Sequence, residues 1–151
     1  MASKTVGDII GGIRAMHHQL AEYYRSVGDA TDRQRVQMLL RYLSRHEEYL
    51  ETALGRYQEQ ASRGVLKTWI KNTPDHTLIE SLDKVAITKD MTADEVTRVV
   101  LEADQRLVSV FRQLAEGSVA EDVKDLFQRL LLLEEREERR LVRDSREMED
   151  V

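Results

Sequence analysis

The feature that most constrains this chain is a helix-start signal that recurs four times, each time at the head of a run with helical periodicity. The signal is the capping box. A Ser or Thr hydroxyl at the N-cap accepts a bond from a backbone N–H of the first turn, and an acid or Gln three residues on reaches back to the N-cap N–H. It appears, complete or nearly so, in Thr5-Val6-Gly7-Asp8, Thr31-Asp32-Arg33-Gln34, Thr92-Ala93-Asp94-Glu95 and Ser118-Val119-Ala120-Glu121. Gly28 and Gly117 mark breaks ahead of the second and fourth. Apolar residues follow each box at helical spacing. Examples are Ile9, Ile13, Met16 and Leu20 in the first run, and Leu39, Leu43, Leu50 and Leu54 in the second. The third run has Val96, Val100, Leu107 and Phe111, and the fourth has Val123, Leu126, Leu130 and Leu141. These patterns predict helices over 5–28, 32–62, 93–116 and 119–148 in a single all-α domain spanning 1–151.

Loop lengths order the helices. Short turns near Gly28–Ala30 and at Gly117 make antiparallel neighbours of the first pair and of the second pair. The intervening residues 63–91 are too many for a hairpin turn and predict a crossover along the outside of the bundle. Thr73-Pro74 reads there as N-cap and first residue of a short extra helix through Val85, since Pro suits the first helical position. Leu66, Trp69 and Ile70 form an apolar patch in the same segment. An antiparallel four-helix bundle of two hairpins joined by a long crossover is the expected architecture.

Composition removes several functional classes. With no Cys there is no disulfide framework, thiolate metal site or Cys nucleophile. A net charge of −5, without a segment of unmixed Lys and Arg, disfavours nucleic acid as a partner. No run approaches the roughly 20 apolar residues of a membrane span, and the cytoplasm is the expected location. There is no Gly-rich phosphate loop.

Charge stands where the core should be. His17 lies between Ile13 and Leu20 in the first stripe, Glu47 lies between Leu43 and Leu50 in the second, and His46 lies at that stripe's edge. Leu130, Glu134, Glu137 and Leu141 follow one another at helical spacing, so both carboxylates face where Leu is expected. His18 and Glu22 point outward, Asp104 is near the edge of the third stripe, and Glu102 is outside it. Folding the first helix onto the second about residue 30 sets His17 opposite residues 43–47. His17, His46, Glu47, Glu134 and Glu137 are thus expected to converge in one mid-core layer. Buried carboxylates are costly without compensation, and carboxylate oxygens with imidazole nitrogens suit a divalent Fe, Mn or Zn ion.

In architecture and in this placement the chain resembles the ferritin-like superfamily, including rubrerythrin-like proteins. The resemblance covers most of the chain as architecture and only a few positions as motif. It implies a ferritin-like topology and a core metal site for redox or metal-handling chemistry. The superfamily pattern is a Glu from each of two helices and Glu-x-x-His from each of the other two. This chain departs from it. Leu43 stands three before His46, Glu137 stands where a His follows Glu134, His17 replaces a Glu, and the third helix presents no well-aimed ligand.

Metal-free readings stand beside this one. His17 and Glu47 can satisfy each other by hydrogen bonding. The run Leu130-Leu131-Leu132-Leu133 is apolar on every face, so the rotation of the fourth helix is open. Leu131 and Leu132 could then seal an oligomer interface. The expected partner is a second copy of the chain, as a dimer, with a protein partner as the alternative. In that alternative the molecule is a metal-free helical scaffold or interaction module, and its core polar residues fix helix register.

Overall fold

The computed structural model describes residues 4–71, 81–82 and 84–149. Four long helices and one short one fill these residues: α1 (Val6–Ala30), α2 (Gln34–Gln60), α3 (Arg63–Leu66), α4 (Ala93–Gly117) and α5 (Glu121–Glu149). Helix α1 packs on α2 and α4 packs on α5, while α2 also touches both α4 and α5. None of the described helices is long and apolar enough to cross a membrane.

Two of the four capping boxes work as expected. Thr5 and Asp8 form the reciprocal pair that opens α1, and Thr92 accepts from the backbone N–H of Glu95 to open α4. The other two are used differently. Thr31 closes α1, and its hydroxyl donates to Lys89 O at 2.9 Å, so α2 starts at Gln34 behind Arg33 with no side-chain cap. Ser118 turns back to donate to Leu114 O at 2.6 Å, and α5 starts only at Glu121. In both cases the hydroxyl bonds to a partner other than the helix that follows it. Gly28 is likewise not a break. It sits inside α1, and a Cβ there would lie 3.3 Å from Leu40 Cβ, so its missing side chain lets α2 approach.

The crossover sets the direction of α4. Val6 N donates to Thr68 O and Ile70 N to Lys4 O, both at 2.9 Å, which pins the segment after α3 to the start of α1. At the other end of α1, Tyr23 clamps the chain before α4. Its hydroxyl donates to Ile87 O at 3.0 Å and accepts from Ile87 N at 2.9 Å. The connection therefore travels the length of α1, and α4 runs in the same direction as α2. This is the predicted arrangement of hairpin, long crossover and hairpin. The crossover also feeds the core, with Val65, Leu82, Val85 and Ile87 all buried. Most of the expected short helix beginning at Thr73-Pro74 lies outside the described residues, and residues 84–88 carry no helix. Trp69, expected in an apolar patch, is 59% exposed, while Leu66 and Ile70 pack against the core.

Along α5, Leu130 and Leu133 are buried and Leu132 is 62% exposed. This fixes the rotation of α5. Glu134, Glu137 and Leu141 all turn inward.

Thr5→Ala should cost about 1 kcal/mol through loss of an N-cap. Ser118→Ala should stay within roughly 0.5 kcal/mol, as it removes no cap. Urea unfolding of the two variants tests the reassignment, and equal losses would contradict it.

Candidate metal centre

Each long helix contributes a buried polar side chain to the middle of the bundle. His17 comes from α1, His46 and Glu47 from α2, Asp104 from α4, and Glu134 and Glu137 from α5. His17, Glu47 and Glu134 are 1%, 1% and 3% exposed. The apolar stripes around them bury these side chains, because each occupies a position that faces the same core as its Ile and Leu neighbours.

His17 lies between two carboxylates on two other helices. Its Nδ1 hydrogen-bonds Glu47, and its Nε2 lies 3.2 Å from Glu134 Oε1. An imidazole donates from both nitrogens only when protonated. Burial by itself pushes the His17 ring down, but the charge of Glu47 and the bonds to Glu134 and Glu47 outweigh it and raise the ring to about 10.

His46 and Glu137 form a looser pair, with Nδ1 and Oε2 3.9 Å apart, beyond hydrogen-bond reach. The His46 ring stacks on Tyr42 at 6.3 Å between centroids, and the Tyr42 hydroxyl donates to Asp144 Oδ2 at 2.8 Å. Burial pushes His46 below its ordinary value against the pull of Glu47, Glu137 and Glu134.

The expected set thus gathers as two neighbouring pairings, His17 with Glu47 and Glu134, and His46 with Glu137. Asp104 is the member that the sequence placed too far out. It is 8% exposed, and burial, followed by the charges of Glu47 and Glu134, pushes its carboxyl well above the usual carboxylate range. The signal was present in the spacing, since Asp104 stands four after Val100 and four before Val108, both buried. Helix α4 therefore does offer a core carboxylate.

His18 remains outside, as expected. It lies 3.2 Å from both Glu22 and Glu51. All three line an open surface groove of about 640 Å³ between α1 and α2, together with Arg14, Arg25 and Glu48. Its ion pairs His18–Glu22 and Arg25–Glu48 are exposed.

The chemistry of the buried donor set suits a metal cation. Four carboxyl groups (Glu47, Asp104, Glu134, Glu137) face two imidazoles (His17, His46). Full ionisation gives −4 against at most +2, so protons or a cation must supply at least two positive charges. The Oδ2 atom of Asp104 is buried with no hydrogen-bond partner among the described residues. The side chains as they stand bond to one another, and no three of them among the described residues surround a common point in a way that would hold an ion. The donor types and the charge thus fit a cation, while the arrangement itself is a hydrogen-bonded one.

In the metal-free protein, the His17 contribution to stability has a definite pH sign. The folded ring is raised above its ordinary 6.5 to about 10. Its stabilisation should be complete below pH 6.5 and disappear as pH climbs toward 10. The groups facing it are Glu47 of α2, Asp104 of α4 and Glu134 of α5. Nitrogen-15 NMR of the ring should show imidazolium still present at pH 8. A neutral ring at that pH would contradict the pairing.

No protein-family model and no curated protein matches the sequence. Among solved structures, the chain is similar to a candidate ferritin-like diiron-carboxylate protein from Thermotoga maritima. The TM-score is 0.60 at 16% identity, over 97% of this chain and 98% of that one. An identity this low speaks for the backbone arrangement and not for the residues of the site. By helix order, crossover and this structural likeness, the chain has the ferritin-like fold.

Proposed function

We propose that the protein binds divalent transition-metal ions at its mid-core cluster, for redox or metal-handling chemistry. The observation that carries this reading is the donor inventory. The superfamily pattern of two Glu and two Glu-x-x-His supplies four carboxylates and two imidazoles. This chain buries four carboxyl groups and two imidazoles at mid-bundle as well, with the positions exchanged. The imidazole on α1 stands where a carboxylate would, and Glu137 on α5 stands where an imidazole would. Glu47, Asp104, Glu134 and Glu137 would supply oxygen ligands, with His46 and His17 supplying nitrogen. The similar Thermotoga maritima protein, described as a diiron-carboxylate candidate, agrees with this reading. A bound divalent ion would supply Lewis acidity and, for Fe or Mn, access to a second oxidation state. The protein's own side chains hold the site dry and fix the charge around it.

A second reading rests on the bonds of His17. Both of its ring nitrogens already face carboxylates, so the cluster can serve as a metal-free polar network that sets the register of α1, α2 and α5.

Metal analysis separates the two readings. Protein purified without chelator, or metal-stripped protein titrated with Fe(II), Mn(II) or Zn(II), should retain metal through dialysis. A ligand at 100 times its Kd adds about 2.7 kcal/mol. For a chain of this size that corresponds to a rise in Tm of roughly 5–10 °C. Glu134→Leu should abolish retention. If none of the three metals is retained and none shifts Tm, the reading fails, and Glu134→Leu then tests the network alone.

A further inference from the structure

The buried cluster is not sealed equally on all sides. His17 is 1% exposed, whereas His46 reaches 7%, and its partner Glu137 stands 3.9 Å away, too far for a hydrogen bond. Tyr42 lies against this end, one turn before His46 on α2 and only half-buried. Its ring stacks on the His46 imidazole, with centroids 6.3 Å apart and planes 20° from parallel. Its hydroxyl reaches across to α5 and donates to Asp144 Oδ2 at 2.8 Å. Asp144 is in contact with solvent and is flanked by the exposed Arg140 and Arg143 at 3.8 and 3.4 Å. One hydrogen bond at the rim thus holds the phenol over the imidazole. The backbone beneath is fixed independently, because Leu50, Ala53 and Leu133 pack α2 against α5. Turning Tyr42 outward therefore needs no helix to move, only a rotamer change of the kind that is fast near a surface.

We propose that Tyr42 is the gate to the buried cluster and Asp144 its latch. When the hydroxyl leaves Asp144, the ring swings off His46 and opens the looser of the two pairings, His46 with Glu137, to a divalent cation from solvent. Neither Tyr42 nor Asp144 is a ligand, so the pair governs entry and not the strength of binding. That a cation uses the opening rests on the reading above, but the opening itself does not.

Carbethoxylation of metal-free protein by diethyl pyrocarbonate, followed residue by residue by mass spectrometry, reads the opening. The exposed His18 serves as the internal standard, and the buried His17 reports any general unfolding. Tyr42→Phe keeps the ring and removes the bond, while Asp144→Ala removes the acceptor. Each should speed modification of His46 by roughly tenfold, the weight of one hydrogen bond to a charged acceptor, and leave His17 unchanged. The double variant should be no faster than either single one, since all three lose the same bond. A His46 rate equal to that of the parent chain, one that rises in step with His17, or effects that multiply in the double variant would overturn the gate. If Asp144→Ala does not fold, Tyr42→Phe decides alone.

Stopped-flow uptake of Zn(II) from a chromophoric chelator reads entry. Both variants should take up the ion faster at unchanged affinity. Uptake at the parent rate would overturn the gate as the cation's route and leave the metal reading in place. Faster modification of His46 in a chain that takes up no metal would uphold the opening and overturn the metal reading.

Discussion

His17 ties three helices together at mid-length through a single buried side chain. A ring on α1 is enclosed by Glu47 of α2 and Glu134 of α5, in a core layer that also buries His46, Asp104 and Glu137. Removing His17 would leave two carboxylates buried without their shared cation, which is among the most damaging changes a core can suffer. The apolar stripes supply the drive to collapse and would tolerate small slips in register. The His17 pairings tolerate far less, because a hydrogen bond between buried groups fails within an ångström. Register of α1 against α2 and α5 therefore depends on this one side chain more than on any single Leu.

The same arrangement explains why the crossover matters. Helix α4 can offer Asp104 to the cluster only because the chain returns along α1 before α4 begins. The clamp of Tyr23 on Ile87, and of Thr31 on Lys89, fixes where α4 enters. Asp104 lies about three turns into α4 from there. A ferritin-like connection thus places a carboxyl from the third long helix at the depth of the first two, which a simple up-and-down bundle would place from the opposite end.

Much of this was legible in residue spacing, and the failures have distinct physical causes. Periodicity marked the four long helices and turned His17 and Glu47 inward, because Leu and Ile flank each of these charges on both sides of its stripe. The Leu130–Leu133 run left α5 free to rotate on paper, and only packing against α2 and α4 resolved it. Asp104 was read as marginal because stripe edges are judged by polarity. The structure shows that a polar residue four from Val100 and four from Val108 is buried with them. Thr31 and Ser118 misled for another reason. A hydroxyl has several acceptors within reach, and tertiary partners such as Lys89 O do not show in a four-residue pattern.

The central claim is that the exchanged set of four carboxyls and two imidazoles still forms a cation site. The most direct measurement is anomalous diffraction from crystals grown with Mn(II) or Zn(II), collected on both sides of the metal edge. The account predicts a peak in the bundle core within about 2–2.5 Å of carboxylate oxygens, with Glu47 and Glu134 among them. A map with no core peak, or with metal only on the outer face at His18, Glu22 and Glu51, would contradict it.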